Sequence, residues 1–289
     1  MGRRWVVAVA ALGCAALAAC GSSTAPAPTL STAPPPSPSS SVFLPMSSSD
    51  VFVPGGGADR SRPVPVVLTV PGGSWQTANR EYMAPLAQRI AESGAFVVNA
   101  TYRAGDVGAR FPVALQDVRC DAAYAVAAAR AAGWTPGPLV IVGHSAGGHL
   151  VALAGVSGDA LAVPCTDPMP HIDGVVGLAG VYDTKAASSL IEPFFGVPYD
   201  ADPQRWQSGD PIHYVTTGAT PKPLSVLLVH GESDAVVPLA QSQSFAKALR
   251  AAGIPVRLEA LPDQDHMSVV DPAVSVDLIT SFVQSLARR

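Results

Sequence analysis

Residues 139–153 read Leu-Val-Ile-Val-Gly-His-Ser-Ala-Gly-Gly-His-Leu-Val-Ala-Leu. The first four are apolar without alternation, the pattern of a strand buried on both faces, and the run from Gly148 onward is helix-compatible. Between them, Gly143 to Gly147 form a G-x-S-x-G pentapeptide. A serine in a sharp turn between a buried strand and a helix has its Oγ lifted out of the sheet. Glycines two residues to either side let neighbouring backbone approach without a Cβ clash. The same residues could form a glycine-rich loop with no chemistry, but a strand before and a helix after are the context the motif requires.

Working outward, strand and helix signals alternate. Strands are expected at Val64–Val70, Ala95–Ala100, Leu139–Val142, Ile172–Leu178, Leu224–Val229 and Val256–Ala260. Helices are expected at Tyr82–Glu92, Phe111–Ala132, Gly148–Val156, Leu239–Ala252 and Val270–Ala287. Strands separated by helices indicate βαβ units, hence an α/β fold with a mostly parallel central sheet covered by helices on both faces. The alternation breaks from residue 183 to residue 220, where Phe194, Phe195, Tyr199, Trp206 and Tyr214 lie among prolines and glycines. Insertions at the carboxyl ends of parallel strands overlie the crevice where ligands bind. This one reads either as a small lid or pocket wall, with Phe194, Phe195 and Trp206 beside the substrate, or as a packed excursion whose aromatics fill core.

A serine hydroxyl is not ionised at neutral pH, so it needs a base within hydrogen-bond reach and a third group to orient that base. Two later segments offer them. Residues 230–238, His-Gly-Glu-Ser-Asp-Ala-Val-Val-Pro, follow a strand and present Asp234 in a loop; residues 263–267, Asp-Gln-Asp-His-Met, follow the last strand and present His266 before the final helix. Ser145, Asp234 and His266 thus occur in the chain order of one particular triad architecture. Asp183, just after the strand that follows the pentapeptide, is the rival acid. His230, at the end of an apolar strand, reads as a structural histidine. Asp117 and Asp121, four apart on one helix, read as solvent-exposed or loop-bracing.

These segments resemble the α/β-hydrolase family, and within it the small carboxylesterase, feruloyl-esterase-like and kynurenine-formamidase-like members. The resemblance covers residues 62–289 and rests on residues 143–149, the His-Gly-x-x-Asp-x-x-Val-Pro pattern of 230–238, the late Asp265-His266 pair and Pro71-Gly72-Gly73-Ser74-Trp75. It implies Ser145 as nucleophile, His266 as base and Asp234 as the orienting acid. It also implies an oxyanion hole from the amides of Gly73, Ser74 and Ala146, with Trp75 beside it in the substrate pocket. Relatives usually carry His where this chain has Pro71, so the loop after the first strong strand is braced by another route. The implied reaction is hydrolysis of short- to medium-chain carboxylic esters through an acyl-enzyme. Alternatives are an arylformamidase or small-peptide hydrolase, and a tethered binding lipoprotein that kept the fold without the chemistry.

Residues 1–19 carry Arg3 and Arg4, then an apolar run closing on Leu17-Ala18-Ala19 before Cys20. This resembles a bacterial lipoprotein signal peptide, which implies cleavage before Cys20 and lipid on its sulfur. The apolar run is short for a transmembrane anchor. Residues 20–49 are Ser-, Thr-, Pro- and Ala-rich, a composition expected to act as a disordered tether. Residues 50–289 are one domain's worth of sequence. The expected location is therefore outside the cytoplasm, held to the cell membrane by lipid. Of four cysteines, Cys120 and Cys165 fall in the domain, and an exported setting makes them a candidate disulfide, the alternative being two separately buried thiols. Neither sits in a cluster with metal-ligand spacing, so no metal and no cofactor is expected. The net charge of −4 and the absence of a basic stripe give no electrostatic case for nucleic acid as a partner.

Overall fold

The computed structural model describes residues 49–288 apart from residues 56 and 163; the signal-like segment, Cys20 and nearly all of the tether lie outside the described residues. The strands are β1 (Asp50–Phe52), β2 (Val64–Val70), β3 (Phe96–Asn99), β4 (Pro136–His144), β5 (Gly174–Leu178), β6 (Ser225–Gly231) and β7 (Val256–Leu261). The helices are α1 (Ala84–Glu92), α2 (Val113–Ala131), α3 (Ala146–Val156), α4 (Ser188–Phe195), α5 (Pro203–Ser208), α6 (Pro211–Thr217), α7 (Ala240–Ala251) and α8 (Pro272–Ala287). The strands form one seven-stranded sheet in the order β1-β3-β2-β4-β5-β6-β7, parallel throughout except for β1 against β3.

Alternation along the strands divides the core in two. Val66, Leu68, Leu139 and Ile141 face one layer with Leu115 and Val118 of α2, Leu150 of α3 and Phe245 of α7. Val67, Val140 and Val142 face the other, with Leu86 and Ile90 of α1 and Ile279 and Phe282 of α8. All these strand residues are essentially inaccessible to solvent, which is why these strands read as unbroken apolar runs. Burying each such side chain contributes about 1.5–3 kcal/mol.

The chain runs from β2 to β3 on one side and then returns to β4 on the other, so strand order reverses between β2 and β4. Such a reversal opens a crevice at the carboxyl ends of the two strands. Val70 pairs in register with Gly143, setting the loop after β2 directly against the pentapeptide after β4.

Two features depart from the expected element map. β1 is a three-residue antiparallel edge strand, too short to show a period. The stretch from residue 183 to 220 contains α4, α5 and α6. Asp202 and Asp210 cap α5 and α6 with their side chains, each followed by Pro at the first helical position, and Asp271-Pro272 opens α8 the same way. The Asp accepts an orphan N–H while Pro occupies a position that needs no donor.

A disulfide joins Cys120 of α2 to Cys165 beyond α3, across a sequence separation of 45. Asp117 and Asp121 are both buried. Asp117 takes the backbone and guanidinium N–H groups of Arg103, bracing the loop after β3; the loop-bracing alternative holds for Asp117, and burial overturns solvent exposure for both. Among the described residues no helix is long and apolar enough to cross a membrane.

Candidate active site

Ser145 sits between β4 and α3 with φ 53° and ψ −117°, a conformation that costs a non-glycine residue about 1–3 kcal/mol and persists only where surroundings over-determine it. The turn is held from both sides: the Ser145 N–H donates to Leu178 O at 2.8 Å, and its carbonyl accepts the His149 N–H at 3.1 Å. The flanking glycines are required by close approach. A Cβ on Gly147 would stand 2.4 Å from the carbonyl oxygens of Val70 and Pro71, and one on Gly72 would stand 2.8 Å from Ser145 Cβ.

His266 lies over the serine, its Nε2 2.9 Å from Ser145 Oγ and its Nδ1 2.8 Å from Asp234 Oδ2. Since the Asp234 carboxylate only accepts, Nδ1 carries the proton and Nε2 offers its lone pair to the serine hydroxyl. The Asp234 side chain is fully buried. Its Oδ1 accepts the N–H groups of Val236 and Val237 at 2.8 Å each, and His230 Nε2 lies 3.3 Å from Oδ2. A buried carboxylate is costly unless donors meet its oxygens, and here the N–H groups of Val236, Val237, His266 and His230 do so. Asp183 is elsewhere: its Oδ1 accepts the Ala186 N–H at 2.9 Å, closing a local turn. His230 is wholly buried, with Nδ1 2.7 Å from Ser242 Oγ and Nε2 2.9 Å from Val237 O; it shapes the acid's loop.

The segment after β2 faces this group. Gly73, Ser74 and Trp75 all have positive φ, 130°, 51° and 57°. Three consecutive residues in this sparsely populated region turn the backbone sharply over the serine. Ala146, the first residue of α3, adds an N–H at the helix N-terminus, where donors lack intrahelical partners and the dipole favours negative charge. Gly73, Ser74, Trp75 and Tyr82 line a cavity of about 240 Å³ that also reaches Ser145 and His266. Leu190 of α4, Val236 and Met267 also line it. Phe194, Phe195 and Trp206 do not reach it. They are buried in the core, with Phe195 stacked on Trp206 at 4.3 Å between ring centroids, so of the four aromatics expected at the pocket only Trp75 is on its surface. Composition marks an insertion as aromatic but does not say which face its rings turn to.

Five contacts have no local signal in the sequence. Trp75 Nε1–H donates to His149 Nδ1 at 3.1 Å, and His149 Nε2–H donates to Gly209 O at 2.8 Å, joining the loop after β2, the elbow helix and the insertion. The Tyr82 hydroxyl meets both the Gly72 N–H and His144 Nδ1. His144 Nε2–H in turn donates to His266 O at 2.8 Å. Among the described residues no group of three or more His, Cys, Asp or Glu is placed to hold a metal ion.

Burial holds the supporting histidines neutral. Desolvation pushes both His144 and His149 from 6.5 down to about 4, and lowers His230 as well. The unfolded chain therefore binds more protons than the fold between about pH 6.5 and 4, and stability is lost as pH falls through that window. His149 alone, lowered to about 4, contributes on the order of 3 kcal/mol to that loss. Urea unfolding at pH 7 and pH 4.5 is expected to give a clearly lower unfolding free energy at the lower pH; equal values would contradict it.

A seven-stranded, mostly parallel sheet with a strained serine at the carboxyl end of its middle strand is an α/β-hydrolase. The BD-FAE family model matches residues 50–249, more than half of the chain, and the chain belongs to that family. Among curated proteins it is 31% identical to Esterase LipC of Mycobacterium tuberculosis, over 66% of this chain and 49% of that protein. It is 25% identical to the kynurenine formamidase of Danio rerio, over 78% of this chain and 72% of that protein. The chain spans about half the length of the mycobacterial esterases it matches. Among solved structures, a truncated carbohydrate esterase from gut microbiota superposes with a TM-score of 0.69 at 23% identity, covering 83% of this chain and 91% of that one; it shares the fold.

Proposed function

We propose that the protein is a serine esterase acting on carboxylic esters of short acyl chain. The observation that carries this reading is the continuous hydrogen-bonded series from Ser145 Oγ through His266 to Asp234, at 2.9 and 2.8 Å. Ser145 Oγ attacks the ester carbonyl carbon while its proton passes to His266 Nε2, and Asp234 stabilises the imidazolium. The oxyanion is met by the amides of Gly73, Ser74 and Ala146, donors worth about 2.7–4 kcal/mol each at such sites. His266 then protonates the leaving alcohol. A water deprotonated by the same histidine attacks the acyl-enzyme, releasing the carboxylic acid and restoring Ser145.

The acyl preference rests on space. The cavity at Ser145 is about 240 Å³, and the insertion contributes only Leu190 to its wall. Acetyl and butyryl p-nitrophenyl esters are expected to be hydrolysed faster than the palmitoyl ester, with no activation at an oil–water interface. A kcat/KM that climbs steadily from two to sixteen carbons would overturn this. The similarity to kynurenine formamidase favours a second reading, hydrolysis of N-formyl aryl amides; including one such amide in the same screen decides between them.

The Cys20 motif supports attachment to a membrane by lipid on the extracytoplasmic side. Cys20→Ser is expected to move the protein from membrane to soluble fractions with its hydrolytic activity intact. An unmodified Cys20 in the intact mass of detergent-extracted protein would refute the attachment.

A further inference from the structure

We propose that Tyr82 is a positioning residue that locks the oxyanion-side loop to the loop carrying the catalytic histidine, acting through His144. The proposal rests on the esterase reading and adds the device that holds its two halves in register.

Proton directions along the series have one solution. His266 O is a carbonyl and only accepts, so His144 Nε2, 2.8 Å away, carries the hydrogen. In a neutral imidazole His144 Nδ1 then has the lone pair, and at 2.9 Å it takes the Tyr82 hydroxyl proton. The Tyr82 oxygen is left to accept, and the Gly72 N–H donates to it. Every donor meets an acceptor from Gly72 through Tyr82 and His144 to the backbone of His266. The protonation this needs is stable over any working pH: burial lowers His144 to about 4 and raises Tyr82 to about 12.

The place of attachment matters. Pro71 has no N–H, so Gly72 offers the first amide after β2. Fixing that amide fixes the entry into the three positive-φ residues 73–75, of which Gly73 and Ser74 supply the N–H groups that must point at the developing oxyanion. At the far end, holding His266 O holds the backbone beneath the imidazole that bonds Ser145 Oγ. The brace comes from Tyr82, at the turn leading into α1.

Tyr82→Phe removes one oxygen and leaves the ring packed against His144, at 5.7 Å between centroids. Misplacing catalytic groups by about 1 Å costs roughly 100-fold. In Tyr82→Phe, kcat for p-nitrophenyl butyrate is therefore expected to fall about 10- to 100-fold. KM should stay within about threefold, and the rate of fluorophosphonate labelling should fall in parallel, because positioning acts on the transition state and not on ground-state binding. Tyr82→Phe combined with His144→Gln should be scarcely worse than the more damaging single variant, since both cut one series. An unchanged kcat, a rise confined to KM, or fully additive losses in the double variant would each overturn the proposal. Wild-type protein that neither labels nor hydrolyses esters overturns the esterase reading and this role with it; wild-type labelling matched by equal labelling of Tyr82→Phe overturns this role alone.

Discussion

Ser145→Ala is expected to lower turnover by about 10⁴- to 10⁶-fold, the range found for triad nucleophiles. The hydroxyl is the only atom the substitution removes, and it is the atom that His266 Nε2 faces at 2.9 Å. Without it no acyl-enzyme forms, and what remains is what the oxyanion donors and substrate binding achieve with water, roughly 10³–10⁴ over the uncatalysed rate. The fold should survive, since Ser145 N–H and C=O make the bonds that hold the turn and both are backbone groups. The measurements are kcat on p-nitrophenyl butyrate and labelling by a fluorophosphonate. Residual activity within tenfold of wild type, in material free of contaminating esterase, would mean that the nucleophile lies elsewhere.

Asp234→Asn is expected to cost about 10⁴-fold in kcat, although the side chain keeps its shape. Oδ1 is engaged by the Val236 and Val237 N–H groups at 2.8 Å each, so an asparagine keeps its oxygen there and turns its NH₂ toward His266 Nδ1. That nitrogen must then accept, the imidazole proton moves to Nε2, and the group facing Ser145 becomes a donor where a base is needed. Asp183→Asn has no such route to the chemistry, because its carboxylate only closes a turn at Ala186; a few-fold change is the most expected. If Asp183→Asn proves the more damaging of the two, the acid is assigned wrongly.

The pentapeptide and its flanks were legible because three constraints coincide there: a strand buried on both faces, a helix start, and glycines where backbone comes within 2.4 Å of where a side chain would be. Asp234 and His266 were legible for a related reason. Both stand in loops just past the carboxyl ends of strands, the buried β6 and the alternating, half-buried β7, so a parallel sheet brings them to one edge whatever lies between. β1 was not legible, having only three residues; of the helices of the insertion, α5 and α6 were signalled only by the Asp-Pro pairs at 202–203 and 210–211, and α4 by no such pair. The inward turn of Phe194, Phe195 and Trp206 depends on how those short helices pack, which no periodicity encodes. Tyr82 was read as the beginning of a helix. Its hydroxyl meets a residue 62 positions away, and a contact at that range leaves no trace in a single sequence.

The direction of β1 also decides where this domain can be handled. It runs against its neighbour, so Asp50 pairs with Asn99 at the carboxyl end of β3, where Arg80 grips its carboxylate at 2.9 Å. The chain therefore enters the fold on the edge of the sheet where Ser145, Asp234 and His266 lie. α8 finishes at the opposite edge, with Ala287 and Arg288 beside Pro63 and Pro138 at the amino ends of β2 and β4. A fusion partner or solid support joined ahead of residue 50 stands on the same edge of the sheet as the proposed site, whereas one joined through residue 288 stands on the opposite edge. For immobilisation, display or crystallisation tags, the residue 288 side of the domain is the one to use.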